Sequence, residues 1–187
     1  MGIEKELKVL NAAWSVFMKY GYKRVTMGDI AEAAGISRPA LYLVFNKKED
    51  VFRAVVRHNG SQRLEEVRQS IASAKSEKEK LKVAFEIWTV KPFDMLLKSE
   101  EAEELLDCGF EFARADIDEG YAEFESILVP ILQPLLESSP IKKLSAKQIA
   151  HVLASSSRGF KQTCKNSSEY RDMIDQLVAL TLAGLKH

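Results

Sequence analysis

At 187 residues, 46% hydrophobic and 29% charged, the chain is long enough for one or two packed domains and too apolar for a disordered tail. No apolar run reaches the roughly 18–20 residues of a membrane span, and the opening MGIEKELKVL lacks the apolar centre of a signal peptide, so a cytoplasmic protein without membrane contact is expected. The net charge of zero hides an asymmetry: residues 1–63 hold eleven Lys and Arg against six Asp and Glu, leaving the remainder five negative, a pattern that suits a basic end meeting a polyanion.

Apolar residues recur at three- and four-residue spacing along nearly the whole chain, which predicts an all-α protein. Leu7, Leu10, Trp14 and Phe17 form the stripe of a first helix that stops near Gly21. Thr26 caps a short second helix, with Asp29 three residues on as a shorter-armed capping-box partner. Gly35 ends that helix, and Ser37 caps a third with Pro39 in its first turn. The run Asn46 to Asp50 opens a long fourth helix reaching about Ala74, with Val51, Phe52, Val55 and Val56 inward. Further helices are expected near 77–90, 93–98, 101–115, 119–137, 145–165 and 168–186. Pro92, Pro140 and Ser138-Ser139 mark breaks, and Pro130 and Pro134 should kink or divide their segment. The expected layout is an N-terminal three-helix domain over 1–48 and a helical domain over 49–187, the helix starting near 47 serving as connector.

The stretch AGISRPALYLVFN carries the sharpest signal. A helix-turn-helix needs a small residue where its helices touch and a turn residue that accepts positive φ. Ala31 and Gly35 meet those needs, and Ile30, Ala34, Ile36, Leu41 and Val44 supply the inward apolar set. Ser37, Arg38, Pro39, Ala40, Tyr42 and Leu43 are then left on the outer side or at the start of the third helix, where they can enter a major groove. Lys47 and Lys48, at the start of the fourth helix, are expected to face the same phosphates.

Residues 9 to 56 resemble the DNA-binding domain of the TetR/AcrR family of bacterial transcriptional regulators. The resemblance rests on Ala13, Phe17, Gly21, Tyr22, Thr26, Ile30, Ala31, the run Ala34 to Ser37, Leu41, Tyr42, Phe45, Lys48, Glu49 and Phe52. It covers about a quarter of the chain. It implies a homodimer that binds a palindromic operator, usually represses, and leaves the DNA when a small molecule binds the C-terminal domain. It also places DNA contacts on Thr26, Ser37, Arg38, Pro39, Ala40, Tyr42, Leu43 and Lys48. The chain departs from many relatives in reading Leu43-Val44-Phe45 after the tyrosine and in having proline at 39. Both changes remove polar groups, so hydrogen-bonded readout should fall on Arg38 and Tyr42.

In the C-terminal part, aromatic residues spread over several helices suit either a core or a ligand pocket. With the resemblance in view, Trp88, Phe110, Tyr121 and Phe124 are the expected pocket residues. The acidic run over 100–125 is mostly a solvated face, with Glu111 or Glu125 as the member that would pair with a cationic ligand. The last two helices are expected to pair across a two-fold axis as a four-helix bundle, through Ala154, Ser155, Arg158, Met173, Leu177 and Leu180. Cys108 and Cys164 are expected to be plain thiols, part of no disulfide framework and no metal site. No spacing of His58, His151 and His187, no phosphate-cradling glycine loop and no serine elbow suggests catalysis, a metal or a cofactor. The competing reading is a helical small-molecule-binding or interaction module without sequence-specific DNA binding.

Overall fold

A computed structural model describes residues 3–140 and 143–186, apart from the side chains of Ile3 and Phe110. Among these residues the chain is helical, in the order α1 (Ile3–Tyr20), α2 (Met27–Ala33), α3 (Arg38–Tyr42), α4 (Lys48–Ala72), α5 (Glu77–Phe85), a π-helical turn (Glu86–Val90), α6 (Lys91–Leu97), α7 (Ala102–Phe112), α8 (Arg114–Glu137), α9 (Ala146–Phe160) and α10 (Ser167–Lys186). No helix among them is long and apolar enough to cross a membrane.

Three prolines leave the helical run around them undivided. Pro92 was expected to break the chain, but α5, the π-helical turn and α6 follow one another without a gap. Pro92 falls in the first turn of α6, just where the helix changes from the wider π repeat, and a missing N–H there disturbs little. Likewise α8 continues undivided through Pro130 and Pro134. These lie four residues apart, both exposed, so the carbonyls they leave unpaired share the wet side of the helix.

The chain forms two compact units, one of Met1–Ser61 with Lys98–Glu119 and one of Gln62–Leu97 with Gly120–His187. The first thus takes in α7 as well as the three N-terminal helices. Its centre is aromatic. Phe17 of α1 and Phe52 of α4 meet edge to face with centroids 5.5 Å apart, and Tyr22 lies 5.6, 5.2 and 5.1 Å from Phe17, Phe52 and Phe112. Val9, Ala13 and Phe17 are fully buried, whereas Leu7 stands at the rim of the α1 stripe. Two bonds tie the start of α7 to the end of α1: Ser99 Oγ donates to the Met18 carbonyl at 2.7 Å, and Lys23 N donates to Glu104 Oε1 at 2.7 Å.

Asp116, in the first turn of α8, is buried in this unit and receives Arg53 Nε at 2.8 Å and Arg57 Nη1 at 2.9 Å from α4. Burial works to raise the pKa of the carboxyl, but the hydrogen bonds and charges of the two guanidinium groups outweigh it and hold the carboxyl below its ordinary value. A depressed folded-state pKa stabilises the fold at pH above the unfolded value, and that contribution fades as pH falls through the folded one. Asp116→Asn should therefore lower stability at pH 7 by about 1–2 kcal/mol, the low end for charged hydrogen bonds because both arginines are partly solvated. The gap between variant and wild type should shrink as pH falls below about 4. Urea unfolding at pH 7 and pH 3 checks this; an equal gap at both pH values would contradict the assignment.

The second unit packs α5, α6 and α9 against α10. Its core includes Phe85, Phe93, Phe124, Leu128, Leu132, Leu153 and Tyr170.

Candidate functional site

The first unit presents α3 as an outward element, and each step of its placement has a local cause. Thr26 caps α2: its Oγ accepts from Asp29 N at 3.3 Å, while Asp29 Oδ2 accepts from Thr26 N and from the Thr26 hydroxyl, both at 2.8 Å. These bonds hold the Asp29 carboxyl below its ordinary pKa. They also commit the Thr26 hydroxyl proton inside the cap. Gly35 has φ +64°, and around it Gly35 N donates to Glu32 O at 2.9 Å and Ile36 N to Ala31 O at 3.0 Å. This pair of bonds is a Schellman ending, which needs the left-handed residue that glycine supplies. Ser37 then caps α3, its Oγ accepting from Ala40 N at 3.3 Å, with Pro39 in the first turn. Leu41 is fully buried and Phe45 nearly so, while Ile36 and Val44 are half-buried.

Opposite that buried side, α3 shows Arg38, Pro39, Tyr42 and, at its C-terminal end, Leu43. The Arg38 guanidinium lies 5.7 Å from the Tyr42 ring centroid, one helical turn away, so the two side chains form a single cationic and aromatic surface. Leu43 is 87% exposed, the highest value among the large hydrophobic residues described. Ala40 is half-buried, Ser37 exposed, and Lys47 exposed just before α4.

Lys48 is placed differently from the expectation. Its Nζ donates to the carbonyls of Tyr22 and Val25, each at 2.7 Å, and of Lys23 at 3.4 Å, and stands 4.2 Å from the Tyr22 ring centroid. The ammonium therefore closes the α1–α2 connection onto the start of α4 instead of facing outward. The three carbonyls belong to a loop with no helical donors, and a charged donor satisfies them more strongly than water does.

The second unit gathers three of the expected pocket residues. Trp88, in the π-helical turn, stacks on Phe124 with centroids 5.4 Å apart and meets Tyr121 edge to face at 5.5 Å. A Cβ at Gly120 would stand 3.1 Å from Trp88 Cη2, so the bare glycine admits the indole against α8. Phe110's side chain lies outside the described residues. Glu111 does not join this cluster: it is exposed on α7 in the first unit. Glu125 is held by His151 at 3.0 Å. Three cations border the cluster. Arg63 lies 5.7 Å from the Trp88 ring centroid, and Arg158 and Lys161 lie 5.3 and 5.9 Å from that of Tyr121. No local sequence signal singles out Arg63 or Lys161, because each reads as an ordinary helix-surface charge.

Of the residues expected to pair two chains, Ala154 is fully buried within its own unit and unavailable to a partner, because α9 needs a small side chain there against its own core. Arg158 turns over Tyr121. Ser155 is exposed, Met173 and Leu177 are half-buried, and Leu180 is 73% exposed; Val152, 59% exposed, adds a second bare aliphatic on α9.

Residues 9–55 match the family described as bacterial regulatory proteins, tetR family. Among curated proteins, the HTH-type transcriptional activator FasR of Mycolicibacterium smegmatis is 32% identical over 83 residues, 44% of this chain and 38% of FasR. The matched stretch thus spans well under half the length of that relative. Solved structures match along nearly the whole chain. A TetR/AcrR-family regulator from Thermobifida fusca superposes with a TM-score of 0.69 at 18% identity, over 97% of this chain and 98% of its own. FadR of Bacillus subtilis, solved in complex with stearoyl-CoA, does so with a TM-score of 0.64 at 21% identity, over 95% and 98%. At those identities the likeness establishes the fold, while the helix-turn-helix stretch carries the kinship. Residues 9–55 thus carry the helix-turn-helix signature of bacterial regulatory proteins of the tetR family, and along the rest of the chain the likeness is one of fold.

Proposed function

We propose that the protein is a ligand-responsive transcriptional regulator acting in the cytoplasm, most simply a repressor, which binds an inverted-repeat operator as a homodimer and leaves it when a small molecule occupies the second unit. The observation that carries this reading is the outward face of α3. A five-residue helix capped at both ends presents Arg38, Tyr42 and an almost fully exposed Leu43 on one surface. Such a surface has little use except against another molecule, and its dimensions suit a major groove. Arg38 is assigned to a guanine edge or a phosphate, Tyr42 to a phosphate, and Leu43, with Pro39 and Ala40, to thymine methyl groups. Ser37 and Lys47 flank them toward the backbone. Thr26 contributes chiefly by holding α2, and Lys48 by holding the loop.

Homodimerisation is assigned to α9 and α10, where Val152 and Leu180 are bare and Met173 and Leu177 border them. Two copies related by a two-fold axis would set their α3 helices on half-sites about 34–36 Å apart or further. The first unit serves as the DNA-binding domain and the second as the effector-binding and dimerising one.

Selection of bound fragments from a random DNA pool tests the reading. The expected product is an inverted repeat. On that repeat, Arg38→Ala should weaken specific binding about 5- to 150-fold, as the loss of one good base contact does, with little change on random DNA. Leu43→Ala should lose affinity on thymine-containing sites and lose little more when the contacted thymines are replaced by uracil. Retention of no DNA at low salt would favour the competing reading, a helical ligand-binding module without DNA binding.

A further inference from the structure

The second unit contains a donor-rich, electropositive cluster that its own residues leave incomplete. Arg63 is half-buried as a residue, yet its Nε is closed off from solvent and has no hydrogen-bond partner among the described residues. The indole Nε1 of Trp88 and the hydroxyl of Tyr121 are in the same condition. These three groups are neighbours: the Arg63 guanidinium lies over the Trp88 ring at 5.7 Å from its centroid, and Trp88 meets Tyr121 at 5.5 Å. Arg158 and Lys161 bring two further cations to the Tyr121 ring. Among the described residues Glu66 is the carboxylate whose charge bears on Arg63; it makes no bond to Arg63 and pairs with Lys91 at 3.0 Å.

Closing off the Nε side of a guanidinium with no carboxylate bonded to it is costly. A cation–π contact with Trp88 offsets only part of that cost. Burial accordingly drives the Arg63 pKa below its ordinary value. Ordered water can accept from the indole and the phenol, but it leaves the charge of Arg63 uncompensated. An anion satisfies the donors and the charge together. The aromatic wall of Trp88, Phe124 and Phe85 beside the donors suits an apolar body attached to that anion.

Resting on the reading of the second unit as the effector-binding one, we propose that the effector is an anionic amphiphile whose carboxylate or phosphate is received by Arg63, with Trp88 Nε1 and Tyr121 Oη donating to it. This reverses the sign of the ligand charge expected from the acidic run over 100–125. The cationic ligand was assigned to Glu111 or Glu125, and the first is exposed in the other unit while the second is paired with His151.

The test uses the full chain without DNA and a matched set of octanoate, octyl phosphate, octanol and octylammonium, with binding read by calorimetry and thermal shift. Octanoate or octyl phosphate should bind about ten- to a hundredfold more tightly than octanol, the range for one charge-assisted bond, and octylammonium should not bind. A preference for octanoate over octyl phosphate, or the reverse, tells which headgroup is received. Arg63→Met should erase the preference for the anion and raise the thermal midpoint of the free protein, since it removes an uncompensated enclosed charge. Tyr121→Phe, which keeps the ring, should weaken the anions and leave octanol unchanged; it serves where the Arg63 variant does not fold. Equal affinity for acid and alcohol, the result for water alone in the cluster, would overturn the proposal, as would failure of both anions to bind or an anion preference that survives in Arg63→Met. Because DNA is absent, a failure here leaves the DNA-selection result standing, and a protein that binds the anions but no DNA refutes the regulator reading alone.

Discussion

Lys48→Met should destabilise the first unit by about 2–4 kcal/mol and leave the salt dependence of DNA binding unchanged. Methionine keeps the aliphatic stem over Tyr22 and removes only the charge. What is lost is the donor shared by the carbonyls of Tyr22, Val25 and Lys23, two of them at 2.7 Å. A hydrogen bond from a charged group contributes about 1.5–3 kcal/mol; two short bonds, partly replaceable by water because the site is only half-buried, give the stated range. Trp14 and Trp88 are the two tryptophans of the chain, one in each unit, so unfolding followed by fluorescence in a Trp88→Phe background reports the first unit alone. A phosphate-contacting lysine would behave in the opposite way. Its removal would barely change stability and would flatten the slope of affinity against salt by about one charge. The two measurements together therefore decide between an ammonium that holds the loop and one that holds DNA. Loss of DNA affinity is still expected in the variant, but uniformly across salt concentrations, because the start of α4 is what the loop before α2 is fastened to.

Lys48 also shows where sequence reading reaches its limit. Features whose cause lies within a few residues were legible. The Thr26 and Ser37 caps, the left-handed Gly21 and Gly35, the short α3 and the burial of Ile30, Ala31 and Leu41 all follow from neighbours three to five positions away. The outward face of α3 was legible for the same reason, since a helix of known register has a known opposite side. Lys48 was not: its partners lie 23 to 26 residues earlier, and nothing in Asn46-Lys47-Lys48 separates the lysine that turns inward from the one that stays exposed. Pro92 misled because a proline's effect depends on where in the helix it falls and on the repeat that precedes it, and Pro130 and Pro134 leave α8 undivided. In the second unit, Trp88, Tyr121 and Phe124 were recognisable as a set of aromatic residues, and they gather. The sign of their electrostatic surroundings was not recognisable, because Arg63, Arg158 and Lys161 come from segments almost a hundred residues apart, while the conspicuous acidic run lies elsewhere.

Tyr170→Ala should lower the stability of the second unit by about 3–5 kcal/mol, and Tyr170→Phe by about 1–2 kcal/mol, the two values separating packing from a hydrogen bond. Tyr170 is among the largest fully buried side chains, its ring 4.9 Å from that of Phe93. It thus joins α6 to α10, and truncation to alanine opens a cavity that close-packed neighbours refill only in part. Its hydroxyl has a separate task. It donates to the Ser157 carbonyl at 2.9 Å. Ser157 is within the last turn of α9, where carbonyls run out of helical donors, so the phenol completes the helix end from a different element. Phenylalanine preserves the packing and leaves that carbonyl buried and unpaired, which sets the smaller figure. The measurement is denaturant unfolding followed by Trp88 fluorescence in a Trp14→Phe background. A Tyr170→Phe value near zero would mean that the α9 end is satisfied without the phenol. A value matching the alanine variant would mean that the bond, and not the ring, holds α6, α9 and α10 together.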